Sequence, residues 1–77
     1  MSQSQQENQC QQVLERLREA PLTQGEAWEI GVARLGGRIF DLRDQGHIIN
    51  TEMVTVKNRR GGKSRIARYW LIRERSA

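Results

Sequence analysis

The sequence has few of the residue types that disulfide-bonded, metal-binding and membrane proteins need. Its one cysteine, Cys10, excludes an internal disulfide, and with one histidine it lacks the ligands for a cysteine–histidine zinc site. No apolar run approaches the length of a membrane-spanning helix, and the first residues have neither the basic nor the apolar region expected of a secretory signal. A chain of 77 residues is predicted to be one small domain without a deep substrate cleft.

Catalytic chemistry is not expected either, because the carboxylates are scattered or placed at helix caps. Asp41 and Asp44 share a helical spacing, but without a third ligand they do not predict a metal-dependent nuclease. The stretch 61–64 resembles the end of a phosphate-binding Walker loop, yet Lys57 stands where the first glycine is required. The sequence therefore predicts no enzyme activity, cofactor, metal or small-molecule substrate.

Positive charge is concentrated at the C-terminal end of the chain. Residues 1–56 contain five Lys/Arg against eight Asp/Glu, a balance of −3, and residues 57–77 contain eight against one, a balance of +7, which together give the net charge of +4. Polyanions respond to such local clustering, so nucleic acid is the favoured partner. RNA is less favoured, because four aromatic residues, two of them on predicted helices, are too few for a base-stacking platform.

Local patterns predict two helices before a tight turn. Apolar residues at i, i+3, i+4 and i+7 predict a first helix over residues 10–19. Thr23 and Glu26 form a capping-box pattern that predicts the start of a second helix, which ends near Ile30. Gly31 then supplies the left-handed position that a tight turn between helices needs.

A third helix is predicted from Ala33 to Gln45, with Leu35, Ile39 and Leu42 on its buried face and Gly46 as its stop. β-branched residues then begin at Ile48, and residues 64–72 alternate in period two. The predicted fold is α+β, with three helices followed by a two-stranded antiparallel β-hairpin. This domain covers residues 10–73, between a flexible glutamine-rich lead at 1–9 and a flexible tail at 74–77.

Four segments carry a resemblance to a known family, namely Leu22–Ala27, Gly31–Arg43, Gly46–Glu52 and Arg65–Tyr69. Over about residues 13–71 they resemble the small winged helix-turn-helix domain of bacteriophages and prophages. The resemblance implies that helix three enters the major groove and that the hairpin, the wing, contacts the DNA backbone. It also implies a sequence-preferring regulator of transcription that acts on double-stranded DNA in the cytoplasm of a bacterial host cell.

On helix three the resemblance implies that Arg34 and Arg38 point outward and contact guanine or phosphate. Asp41 would orient Arg38 or accept from a cytosine amine. Gly36 and Gly37 each cost roughly 1 kcal/mol in a helix interior, which indicates close approach of another surface at this face, with Gly37 at the DNA. The alternative is an ordinary solvated face with an Arg38–Asp41 ion pair within the helix.

On the wing, five cations lie within nine residues and are predicted to bind phosphates: Lys57, Arg59, Arg60, Lys63 and Arg65. The alternative is that they protect exposed strand edges from unwanted pairing, although fewer charges would do so. A homodimer through the first helix or the hairpin would let so small a module bind two half-sites.

A second function class stays open, because many functions share one fold. The chain would then be a phage-encoded protein-interaction module that inhibits a host defence complex, in the manner of an anti-CRISPR protein. Trp70 is the predicted protein interface in that case, since aromatic residues concentrate at interface centres. The alternative is that Trp70 forms a lid over the second face of the hairpin. Four acidic residues would also matter for such a partner: Glu26, Glu29, Asp41 and Asp44.

Overall fold

The computed structural model describes residues 2–75, with side chains from residue 9 onward, and has an α+β architecture. Within that range the chain forms three helices and three strands, in the order α1 (Ser2–Glu19), β1 (Leu22–Thr23), α2 (Gln24–Glu29), α3 (Leu35–Asp44), β2 (Ile48–Lys57) and β3 (Lys63–Arg73). None of the helices in residues 2–75 is long and apolar enough to cross a membrane.

The sheet has three antiparallel strands in the order β1-β3-β2, so the predicted two-stranded sheet is wrong in this detail. β1 pairs with β3 through Leu22 opposite Tyr69 and Thr23 opposite Arg68. Two residues are too few to give an alternating pattern, and Thr23 also serves as the extended N-cap of α2. Thr23 therefore belongs both to β1 and to the N-cap of α2.

The end of α1 at Glu19 confirms the predicted boundary, whereas its start at Ser2 extends the helix through the glutamine-rich lead. The flexible lead (1–9) and tail (74–77) lie partly outside the described residues, and their flexibility stays a prediction. Near the C-terminal end of the domain, Glu74 forms an ion pair with Arg18 of α1. Arg75 is bonded through its backbone N–H to Nδ1 of His47 at 3.0 Å.

The capping box of α2 and the glycine turn after it are confirmed. The Thr23 side chain accepts from the Glu26 backbone, the Glu26 carboxylate accepts from Thr23 N at 3.1 Å, and Gly31 has φ +87°. α3 begins at Leu35, later than predicted, because Gln24 holds the linker in a turn. Its Nε2 donates to Val32 O at 3.1 Å, and its Oε1 accepts from Leu35 N at 2.9 Å.

The core lies between the three helices and one face of the sheet. Its buried residues are Cys10, Val13, Leu14, Leu17, Leu22, Ala27, Val32, Leu35, Ile39, Leu42 and Ile49. Tyr69 and Leu71 pack against them from β3. The predicted buried face of helix three is confirmed, and its stop at Gly46 has φ +105°. The helices cover one face of the sheet, and its opposite face is uncovered within the described chain.

Candidate nucleic-acid interface

The loop of the wing, which we define as the β2–β3 hairpin, is built around the side chain of Asn58. Its Oδ1 accepts from the backbone N–H groups of Arg60 at 3.1 Å and Gly62 at 2.9 Å. Gly61 N donates to Asn58 O at 3.2 Å, and Gly61 adopts φ +80°, which disfavours other residues. The result is a defined corner at which Arg59 and Arg60 stand exposed.

Strand register assigns the remaining wing cations to one face. Lys57 pairs with Lys63, and Thr55 with Arg65, in the same alternation that pairs Ile49 with Leu71. Residues directly opposite in an antiparallel pair share a face, and Ile49 and Leu71 face the helices. We call this the helix-side face. Lys57, Lys63 and Arg65 therefore lie on the same side of the sheet as α3.

All five wing cations, Lys57, Arg59, Arg60, Lys63 and Arg65, are exposed. Across residues 9–75, whose side chains the structure describes, the ion pairs are Arg18–Glu74, Arg38–Asp41 and Arg68–Glu52, and none involves a wing cation. Their charge is thus available to an external anion.

The opposite face of the sheet, the outer face, carries a charge that is already paired. The Glu52 carboxylate accepts from Arg68 Nη2 at 2.8 Å and from Trp70 Nε1 at 2.9 Å. These hydrogen bonds, first the one from Trp70 and then that from Arg68, lower the pKa of Glu52. The Arg68 guanidinium also lies 5.6 Å from the centre of the Trp70 ring. Trp70 remains 40% exposed, so the predicted protein interface is accessible.

On α3 the expectation that Arg38 points outward is wrong. The Arg38 side chain is only 13% exposed, and its Nη2 lies 3.4 Å from Asp41 Oδ2, which confirms the ion pair of the alternative interpretation. The cause is spacing, because Leu35, Arg38, Ile39 and Leu42 form one i, i+3, i+4, i+7 stripe toward the core. Whether Arg38 also contacts DNA stays a prediction.

The outward face of α3 instead presents its first turn and an aromatic ring. Arg34 is the exposed N-cap, Gly36 and Gly37 are exposed, and Phe40 is 71% exposed. A Cβ added at Gly37 would meet Arg34 Cβ at 3.8 Å, and one added at Gly36 would meet Tyr69 Oη at 3.9 Å. Both are ordinary contact distances, so packing within the described chain requires neither glycine.

Sequence reasoning missed Phe40, although the same helical spacing that turns Arg38 inward places residue 40 on the opposite side. It also missed Arg43, whose Nε and Nη2 donate to Ile49 O at 3.0 and 2.6 Å. Arg43 is thereby committed to the start of β2. The sequence did not indicate the role of Asn58 either, because its hydrogen bonds depend on the closed hairpin.

A family model described as a winged helix-turn-helix domain matches residues 8–74. The chain belongs to the winged helix-turn-helix family. No curated protein and no solved structure matches the chain. In this winged helix-turn-helix domain, α2, the turn held by Gln24 and α3 form the helix-turn-helix unit, and β2 with β3 forms the wing.

Proposed function

We propose that this winged helix-turn-helix protein binds double-stranded DNA with a sequence preference and regulates transcription. The first turn of α3 enters the major groove, and the wing cations neutralise backbone phosphates. The phage or prophage setting rests on the resemblance of about residues 13–71 to domains from such genomes. The observation that carries the proposal is that Lys57, Lys63 and Arg65 share the side of the sheet on which α3 lies, exposed and without a carboxylate partner in the described chain.

Base reading by α3 depends on its outward residues. Arg34, at the N-cap, is placed to donate two hydrogen bonds to guanine or to bind a phosphate. Gly37 lets the helix backbone approach the groove. Phe40 offers an apolar contact of the kind that recognises the methyl group of thymine. Arg38 acts through Asp41, whose carboxylate it holds on the helix surface.

A salt titration of duplex binding tests the proposal. The chain should bind duplex DNA at low ionic strength, and the logarithm of the association constant should fall linearly with the logarithm of the salt concentration. Lys63→Gln should make this slope shallower by about one unit. Arg16→Gln, on α1, removes the same net charge from an exposed position and should leave the slope unchanged. Equal slopes for both variants, or no duplex binding at low salt, would overturn the proposal.

The second candidate function is the protein-interaction module that inhibits a host defence complex. The observation that favours it is the ring of Phe40, which stands 71% exposed on the helix that also carries Asp41 and Asp44. An aromatic residue beside carboxylates suits a basic protein surface as well as a base edge.

Phe40→Ala separates the two functions. If α3 reads DNA, this variant keeps non-specific duplex binding and the salt slope of the wing but loses preference for the sequence selected from a random duplex pool. If α3 binds protein, the selected preference is absent from the wild type, and Phe40→Ala instead abolishes inhibition of the defence complex.

A further inference from the structure

The side chains of α3 include few hydrogen-bond donors. Its ten residues contain two side chains that can donate, Arg38 and Arg43. The other residues are apolar, glycine or aspartate, and a carboxylate accepts hydrogen bonds without donating them. Side chains recognise guanine and adenine in the major groove chiefly through such donors. What α3 recognises therefore depends on where these two arginines are directed.

Both arginines of α3 are bound within the chain. Arg38 Nη2 lies 3.4 Å from Asp41 Oδ2, and the Arg38 side chain is only 13% exposed. Arg43 donates to Ile49 O from Nε and Nη2, and its Nη2 also donates to Thr51 Oγ1 at 3.0 Å. The first guanidinium is thus held beside Asp41 and the second beside β2, so neither covers the outward face of the helix.

The outward face of α3 is centred on Gly37, Phe40 and Asp44. A helix turns by about 100° per residue, so these three residues lie opposite the stripe that packs into the core. All three are exposed, but Gly37 has no side chain and Asp44 stands at the last position of the helix. Phe40 is therefore the main side chain that the middle of α3 presents to a groove.

The surface beside the Phe40 ring is bare backbone. Gly36 and Gly37 precede Phe40 by four and three residues, so they neighbour it one turn earlier on the helix. The nearest atoms that an added Cβ would meet are Tyr69 Oη at 3.9 Å and Arg34 Cβ at 3.8 Å, respectively. A small apolar group can therefore rest on this backbone and contact the ring at the same time.

The major groove offers one apolar group of that size. Thymine presents its C5-methyl group there, whereas the other groups that distinguish the base pairs are hydrogen-bond donors and acceptors. Burying a methyl group against a phenyl ring is favourable. The same ring pressed against the amine of cytosine would separate that donor from water without giving it an acceptor, which costs free energy.

On the basis of the proposed function, we propose that α3 selects its DNA site by the C5-methyl groups of pyrimidines. Phe40 contacts the methyl group from above Gly36 and Gly37. Arg34, at the N-cap, adds a hydrogen bond to guanine or phosphate at one end of the helix, and the wing cations supply the affinity that is independent of sequence. Thymine carries this methyl group in unmodified DNA, and 5-methylcytosine carries the same group.

Base analogues that differ by one methyl group test the proposal. The probe is a duplex of repeating guanine–thymine paired with adenine–cytosine, and fluorescence anisotropy at low salt measures its affinity for the full chain. Uracil at each thymine removes the methyl group and keeps the hydrogen-bonding groups, so affinity should fall about fourfold for one buried methyl group. 5-Methylcytosine at each cytosine adds methyl groups and should raise the affinity. A loss with uracil and no gain with 5-methylcytosine would assign the recognised methyl group to thymine alone.

Three variants assign the methyl dependence to its residue. Phe40→Ala should bind the thymine and uracil duplexes equally, and Phe40→Leu, which keeps an apolar side chain, should retain part of the difference. Trp28→Ala removes an aromatic ring of α2 that is 67% exposed, and the difference should stay that of the wild type.

Two results would overturn the proposal and leave the proposed function in place. They are equal, salt-dependent binding of the thymine and uracil duplexes by the wild type, and a difference between these duplexes that Phe40→Ala retains in full. Absence of binding to every duplex at low salt would overturn both.

Discussion

Arg38 illustrates how one residue changes the interpretation of α3. It lies in the stripe with Leu35, Ile39 and Leu42, so its side chain is only 13% exposed and its Nε is buried. Its Nη2 lies 3.4 Å from Asp41 Oδ2. An arginine in this place supports the helix more directly than it can read a base. The residues free to approach a groove are therefore those opposite the stripe, Gly37 and Phe40.

Gly37→Ala separates the effect of the glycine on helix stability from its effect on DNA binding. We expect the free energy of unfolding to rise by about 1 kcal/mol, since alanine is the better helix former and its Cβ meets only Arg34 Cβ, at 3.8 Å. Duplex affinity should fall, because the added methyl group stands between the helix backbone and the groove. Urea unfolding measures the first effect and fluorescence anisotropy with labelled duplex the second.

Gly36→Ala is the matched control, because its Cβ is directed toward Tyr69 Oη at 3.9 Å. It should bring a similar gain in stability and a smaller loss of duplex affinity. If Gly37→Ala stabilises the fold and leaves affinity unchanged, the first turn of α3 does not approach DNA closely.

At the scale of elements, the features that the sequence predicted are those with a local cause. The capping box at Thr23, the left-handed Gly31 and the stop at Gly46 each depend on residues close in the chain. The start of α3 depends on Gln24, eleven residues before Leu35, and β1 exists only because β3 lies beside it. Sequence patterns do not contain contacts of that range.

The same division applies to the candidate site. The clustering of the wing cations is visible in the sequence, and the period-two alternation of residues 64–72 puts Arg65 on the same face as Tyr69 and Leu71. The face of Lys57 could not be predicted, because it depends on the register that the Asn58 loop imposes on the two strands.

Asn58→Ala should weaken DNA binding without changing the number of phosphates contacted. The variant loses the three hydrogen bonds of the Asn58 side chain, two accepted by Oδ1 within the loop and one donated by Nδ2 to Ser64 Oγ. DNA binding must then order the loop around Arg59 and Arg60. If ordering the loop costs about 1 kcal/mol of conformational free energy on binding, duplex affinity falls about fivefold. The salt slope should stay that of the wild type. Lys63→Gln is the contrasting variant, because it should change the slope. An Asn58→Ala slope as low as that of Lys63→Gln would contradict a purely ordering role.

For the whole molecule, the wing and the helical body differ in net charge and in whether their charged side chains form ion pairs within the chain. The five wing cations have no carboxylate partner in the described chain, whereas Asp41, Glu52 and Glu74 each form an ion pair with an arginine. Arg18 and Glu74 are such a pair, with Arg18 Nε 3.0 Å from Glu74 Oε2. This pair ties α1 to the end of β3 and so joins the two ends of the fold.

The Arg18–Glu74 pair predicts how stability depends on pH. The hydrogen bonds from Arg18, followed by its charge and that of His47, lower the pKa of Glu74 below its usual value of 4.5. A carboxylate with a lowered pKa stabilises the folded state above its unfolded pKa, and this contribution is lost as the pH falls through the folded value. The free energy of unfolding, measured in urea by tryptophan fluorescence, should therefore decrease as the pH falls below about 5. Glu74→Gln should have a lower free energy of unfolding at neutral pH, and this free energy should fall less as the pH is lowered. Glu29 is the control, because it is an exposed carboxylate on α2 without an ion pair in the described residues. Glu29→Gln should follow the wild type. Equal pH profiles for Glu74→Gln and the wild type would mean that the pair does not hold the two ends together in solution.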